Sequence, residues 1–411
     1  MLLIIIICGN INLMAQWIYT DGPNGISEPY INSLLVSGEM VYAGTLEGIF
    51  LLENNKLGWS SINNGVTNNP QTQSKSVSSL TSNSNYIFSG FQYDGVYRRH
   101  IGDNEIFWEE VNNDIPYFPM AISSKNDTIF VGTLENGMYR STDNGLSWFS
   151  INSGLKHTGY HSLLVTDSII FAGTSGTIYR SLNNGSEWTK SDLGSSAKNY
   201  MVEALAISGN NIIAGASNTG SNIDSSLYLS TDNGLNWNSV SCSFEKSNIT
   251  SLASYQNIVF AGTEIGVFIS TDNGLNWKSV NEGLSDLYIN SITCSNNFAY
   301  VATRGKVWYR PIEELIVSVN ESLPTHYSLS QNYPNPFNPD TKIVFSIPKS
   351  DMVEIKVYDI LGRELKTLFS EYKQAGKYKI TFIANNLPSG VYIYKMNTNH
   401  YSEIKKMILL R

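Results

Sequence analysis

The octet Ser141-Thr142-Asp143-Asn144-Gly145-Leu146-Ser147-Trp148 returns three times, at residues 181–188, 230–237 and 270–277, and degenerate forms end at Trp59 and Trp108. Elementary chemistry makes it a hairpin turn. The Ser and Asp side chains bond nearby backbone, Asn-Gly accepts the positive φ of a tight turn, and the Trp anchors the returning strand. In the second copy Asn183 stands where the others carry Asp143, Asp232 and Asp272; the tryptophans are Trp148, Trp188, Trp237 and Trp277. A recurring turn implies a fold built by repetition, so the residues between the copies should repeat as well.

They do. Ala43-Gly44-Thr45 finds counterparts around Gly90, Gly132, Gly173, Gly215, Gly262 and Ala302, at spacings of 46, 42, 41, 42, 47 and 40 residues. Seven units of ~43 residues, each with three short alternating strands between turns rich in Gly, Asn and Asp, have the period of a β-propeller. The tryptophans settle how the ring closes. Trp17 has a Trp strand but no unit before it, whereas the last unit, ending Trp308-Tyr309-Arg310, has no Trp strand after it. Residues 17–20 should therefore supply the missing outer strand of the last blade by pairing with residues 307–310, leaving no free sheet edge. The expected fold is all-β: a seven-bladed propeller over residues 16–310, then a small Ig-like sandwich. No helix is read.

The octet resembles the Asp-box of the bacterial neuraminidase repeat, Ser-x-Asp-x-Gly-x-x-Trp, found in sialidases, xyloglucanases, sortilin-type receptors and photosystem assembly factors. In that family the box lies on the outer part of a blade, away from the active face. The resemblance implies a structural and not a catalytic role for Asp143, Asn183, Asp232 and Asp272. It does not bring sialidase chemistry with it. Arg98, Arg140, Arg180 and Arg310 fall at one repeat position instead of forming a converging triad, and the Arg-Ile-Pro motif is absent. Xyloglucanases need two facing propellers, and the sequence holds one.

After Pro311 the repeat stops, and residues 311–326 read as a linker. Three prolines within Asn332-Tyr333-Pro334-Asn335-Pro336-Phe337-Asn338-Pro339 force an extended entry. Alternating segments at 342–347, 353–358, 377–382, 391–396 and 403–410 then make a small sandwich. That entry, with Val357-Tyr358-Asp359-Ile360-Leu361-Gly362-Arg363-Glu364, Leu387-Pro388-Ser389-Gly390-Val391-Tyr392 and residues 405–410, is similar to the type A C-terminal sorting domain of the type IX secretion system. The resemblance spans residues 327–411. It implies the secretion machinery as a partner, and a passenger displayed on the outer surface or released. Residues 1–15, with an apolar run from Leu2 to Cys8 and Met14-Ala15 before Gln16, read as an export signal that lacks its basic start.

Composition narrows the function. The 411 residues carry a net charge of −8, but residues 1–321 hold 15 basic against 28 acidic residues, a net of −13, and the remainder is at +5. An acidic body repels phosphate backbones, which excludes nucleic acid as a partner. No apolar run after the signal is long enough for a transmembrane helix in the mature chain. Three cysteines make no disulfide framework, and Cys242 and Cys294 read as free, buried thiols. His157 and His161 read as residues of an inter-blade loop. No metal or cofactor motif is present.

What remains is the face opposite the boxes. Counting back 13–15 residues from the middle of each Ala-Gly-Thr phrase reaches Tyr30, Phe118, Tyr160, Tyr200 and Tyr288, and the turns after the phrase carry Glu47, Asp94, Glu135, Glu264 and Arg304. Aromatic rings bordered by carboxylates at a channel mouth suit sugars, whose C–H faces stack while acids accept hydroxyls. The expected function is a non-catalytic module that binds a glycan or a surface protein. The alternative is a glycoside hydrolase using paired carboxylates on that face.

Overall fold

The computed structural model describes residues 16–20, 30–52, 58–67, 74–102, 107–112, 115, 118–156, 159–191, 193, 200–217, 226–244, 246–320, 326–373, 376–384 and 387–410. The expected export signal and His157 lie outside them. The chain divides into two compact units, residues 1–315 and 316–411.

The first unit is a seven-bladed propeller. Seven antiparallel sheets of four strands follow one another, and blade 1 comprises Ile31–Ser37, Met40–Thr45, Gly48–Leu52 and Trp59–Ser61. Blade 7 is completed by the start of the chain: Ile18, Tyr19 and Thr20 pair antiparallel with Tyr309, Trp308 and Val307. That is the register the tryptophan spacing predicts. Trp17, 2 % exposed, fixes it by donating Nε1–H to the Val280 carbonyl at 2.5 Å and its N–H to Glu282 at 2.8 Å.

The Ala-Gly-Thr phrase ends the second strand of each blade, where sheets pack face to face. A Cβ on Gly44 would lie 2.4 Å from Val77 of the next blade, and one on Gly262 would lie 2.6 Å from Ile289. At these positions only glycine admits that approach, which explains its return in six of the seven phrases; blade 7 carries Ala302 there.

Each complete box is a self-bonded turn. The Ser141 hydroxyl donates to Asp143 Oδ1 at 2.7 Å and accepts the Gly145 N–H at 2.8 Å, while Asp143 also takes the Ser147 N–H (2.9 Å) and hydroxyl (2.6 Å). Asn144, Asn184, Asn233 and Asn273 hold the positive φ. Trp148 and Trp188 donate to Val111 and Ile151 carbonyls of the preceding blade, both at 2.8 Å. The repeated arginines reach forward: Arg98, Arg140 and Arg180 donate to the carbonyls of Asn144, Asn184 and Asn233, at 2.6, 2.8 and 3.1 Å. They join neighbouring blades.

A helix, Ile312–Asn320, lies in the stretch read as linker. Glu313 and Glu314 occupy its first turn, favourably placed for the helix dipole. Ile312 and Leu315, one turn apart, are buried, and the Ile312 N–H donates to Asn297 at 2.9 Å. Cys242 and Cys294 form no disulfide and are half-buried, not buried as expected. Burial still pushes the Cys294 thiol up to about 12.

The second unit is a β-sandwich. One sheet holds Ser328–Leu329, Asp340–Ile347 and Gly376–Ile383; the other orders Glu364–Lys373, Asp351–Tyr358, Gly390–Asn397 and Ser402–Leu409. Ile343, Phe345, Val353, Ile355, Tyr394 and Met407 fill the space between. The Asn-Pro entry is part of this packing. Asn332 donates Nδ2–H to the Pro334 carbonyl and Thr341 Oγ1, both at 3.0 Å, and Asn335 Oδ1 accepts the Ile408 N–H at 2.9 Å.

Candidate functional site

The innermost strands share a device that alternation alone does not reveal. In six of the seven blades the pairing register slips by one residue near the start of the strand, at Asn32, Ser78, Met120, His161, Glu203 and Thr250. Each stands twelve residues before the middle of the Ala-Gly-Thr phrase, and in blade 7 that position is Asn290. A bulge re-aims its side chain. All seven line one axial cavity of about 410 Å³.

Three of these seven residues also stitch the ring. Asn32 Nδ2 donates to Val77 O at 2.8 Å, Ser78 Oγ to Pro119 O at 2.5 Å and Thr250 Oγ1 to Ile289 O at 2.5 Å, each across to the next blade. The serines that follow the bulge help: Ser33, Ser79, Ser251 and Ser291 accept the N–H of Leu80, Ile122, Ile292 and Leu34. Three consecutive blades break the pattern. Met120 and Glu203 cannot donate, and His161 faces Glu203 instead, Nδ1 to Oε2 4.0 Å. His161 thus lies on an inner strand, Tyr160–Val165, and not in the loop expected of it.

A second cavity of about 410 Å³ opens above the first and shares Asn32, Glu203, Thr250 and Asn290 with it. Tyr30, Tyr288, Glu264 and Asn248 complete its wall together with Ser217. Glu203 accepts the Ser217 hydroxyl at 2.8 Å, and Glu264 accepts Asn248 Nδ2–H at 3.0 Å. Tyr30 is 40 % exposed and pairs as an isolated bridge with Arg304, whose guanidinium lies 4.5 Å from the Tyr288 ring centroid. Burial pushes the Tyr288 hydroxyl up, helped by Tyr30 and Glu264 and opposed by Arg304.

Four of the ten residues singled out by sequence are therefore together: Tyr30, Tyr288, Glu264 and Arg304. The five aromatics do not form one ring. Tyr30, Phe118 and Tyr288 stand fourteen residues before the phrase, but Tyr160 stands thirteen and Tyr200 fifteen. One residue turns a strand side chain to the other face, and both are buried in cores between blades. Phe118, at φ 72°, meets Tyr93 edge-on at 5.4 Å. Asp94 is taken up by Tyr97 and Thr67, at 2.8 and 3.1 Å. Glu47 lies at a bridge with Lys75, and Glu135 is an exposed turn residue. Glu203, Asn32, Asn248, Thr250 and Asn290 escaped the sequence reading. An alignment of the seven units at the twelve-residue offset would have exposed all but Asn248.

Among the described residues no group of three His, Cys, Asp or Glu could hold a metal ion, and no helix is long and apolar enough to cross a membrane. No curated protein matches the chain. Of solved structures, it is similar to the extracellular domain of the one-component system BT4673 from B. thetaiotaomicron (14 % identity, TM-score 0.59, covering 81 % of this chain and 46 % of that one). It is also similar to the GH74 xyloglucanase from Xanthomonas campestris (12 %, 0.56, 81 % and 59 %) and to YCF48 bound to D1 peptide (14 %, 0.54, 74 % and 98 %). The chain thus spans about half the length of the first of these, and at such identities the likeness is one of fold. Residues 136–264 match the family described as sortilin, neurotensin receptor 3, and residues 331–410 match the secretion system C-terminal sorting domain. The chain is an Asp-box β-propeller followed by a type IX secretion C-terminal sorting domain, which engages the secretion machinery and sends the protein to the cell surface or the extracellular space.

Proposed function

We propose that the exported propeller is a binding module without catalytic activity, and that its ligand, a glycan or a protein, sits at the mouth cavity opposite the Asp-boxes. Residues 1–15 then direct export, 16–310 bind, 311–326 link and 327–411 sort. The observation that carries this reading is the gathering of Tyr30, Tyr288, Glu203 and Glu264 around one cavity. An exposed ring beside carboxylates supplies contact area and hydrogen-bond acceptors without a structural need for either. The test is a glycan-array and peptide-library screen of residues 16–411, followed by Tyr30→Ala. Loss of ~1 kcal/mol or more of binding with little change in melting temperature supports the reading. A large drop in melting temperature with no ligand found sinks it.

One observation favours a second reading. Glu203 and Glu264 line the same cavity, and glycosidases work with two carboxyl groups ~5–9.5 Å apart. Hydrolysis of any oligosaccharide, abolished in both Glu203→Gln and Glu264→Gln, would establish it.

A further inference from the structure

We infer that the mouth cavity takes a cation, the side-chain ammonium or guanidinium of a lysine or arginine in an extended polypeptide, held between Glu203 and Glu264 and against Tyr30. The inference rests on the proposal that this cavity binds a ligand, and it names the chemistry.

Glu203 carries most of the argument. Its position in blades 1, 2 and 6 is filled by Asn32, Ser78 and Thr250, each of which donates to the next blade's backbone. A carboxylate has no proton to donate, so Glu203 forgoes that bond between blades 5 and 6. Within the ring the carboxylate accepts the Ser217 hydroxyl and faces His161 of the preceding blade, but it makes no bond to the described residues of the next blade. What it adds is negative charge inside a cavity that already holds Glu264. Among the described residues lining that cavity there is no lysine, arginine or histidine. Arg304 lies on the Tyr288 ring and His161 faces Glu203 at 4.0 Å, but neither lines this cavity. Two carboxylates facing one small space attract a cation, and the −13 net charge of residues 1–321 points the same way.

The walls select the form of the cation. Tyrosine faces attract guanidinium and ammonium groups, and this rim already displays the contact: Arg304 lies on Tyr288 at 4.5 Å, while Tyr30 beside it is open to solvent. Four residues are common to the mouth and channel cavities, so the path runs inward. A long, thin side chain with a charged tip follows such a path better than a pyranose ring. Asn290 Nδ2, buried and without a hydrogen-bond partner, also lines both cavities. It needs an acceptor, which a polypeptide provides in its carbonyls.

The experiment is calorimetric titration of residues 16–411 with three probes: acetyl-Gly-Gly-Lys-Gly-Gly-amide, the same peptide with Nε-acetyl-lysine, and cellopentaose. The lysine peptide should bind at least ~10-fold more tightly than its acetylated form, because a charge-assisted bond is worth ~1.5–3 kcal/mol. Glu203→Gln and Glu264→Gln should each weaken it ~5-fold or more, and binding should fall as salt is raised. Glu264 is exposed, so its variant keeps the test open should Glu203→Gln fold poorly. Equal binding of the two peptides, or indifference to both Gln variants, overturns the cation. Binding of cellopentaose lost in Tyr30→Ala, with no response to the lysine peptide, overturns it and leaves the binding-module proposal standing. No binding by any probe or library member overturns both.

Discussion

Asn183 does in the second complete box much of what a carboxylate does in the others. Its Oδ1 accepts the Ser181 hydroxyl and the Glu187 N–H, both at 2.9 Å. Asp232 makes the same two bonds, to Ser230 and Asn236, and adds Oδ2 to Asn236 Nδ2 at 2.7 Å. These bonds, led by the Asn236 N–H, hold its carboxyl down to about 2. An aspartate in an unfolded chain titrates near ~3.9. The folded value is the lower one, so the stabilisation is fully present above ~pH 4 and fades as pH falls through about 2. Asp232→Asn should therefore melt below wild type at pH 7 and lose less than wild type between pH 5 and pH 2.5. Melting curves at the three pH values check this; equal acid sensitivity would refute it. The box was legible in the sequence because its bonds are local. The Tyr30–Arg304–Tyr288 cluster was legible residue by residue but not as a cluster, since its members come from the first and last blades.

At the scale of the strand, the bulge explains what alternation could not show. A period-two reading recognises strands and their faces, and it found the three inner strands of the blades and five segments of the sandwich. It has no symbol for an inserted residue, so the channel-facing ring stayed hidden and two tyrosines fell into the core. The missed strand Glu364–Lys373 is mostly exposed on both faces, so it shows little alternation of apolar residues. The missed helix Ile312–Asn320 offers little more than two turns of signal. The bulge position also permits a prediction. Glu203→Thr should restore the bond that Thr250 makes one blade on, raising stability by about 1 kcal/mol while removing ligand binding. Thermal melting and the titrations above report the two effects. A destabilised variant would show that Glu203 serves the ring and not a ligand.

For the whole molecule, closure and traffic are the testable properties. Trp17 is buried where the two ends of the ring meet, so Trp17→Ala should cost ~3–5 kcal/mol. Proteolysis of the variant should begin at its N-terminal strand; cleavage elsewhere first would mean that the ring does not depend on this seam. Deleting residues 327–411 should leave the passenger in the periplasm of a host with type IX secretion, as fractionation would reveal, and normal display would overturn the sorting assignment. The seam has one more implication. Strand Ile18–Thr20 has its partner, Val307–Pro311, at the far end of the repeats. The first strand of the ring to be synthesised is thus the last to be seated. While it waits, blade 7 presents an open edge, and an identical strand from a second chain fits that edge as well as the chain's own. Crowded, half-folded copies can trade these clasps, which gives a domain-swapped pair in place of a ring closed on itself.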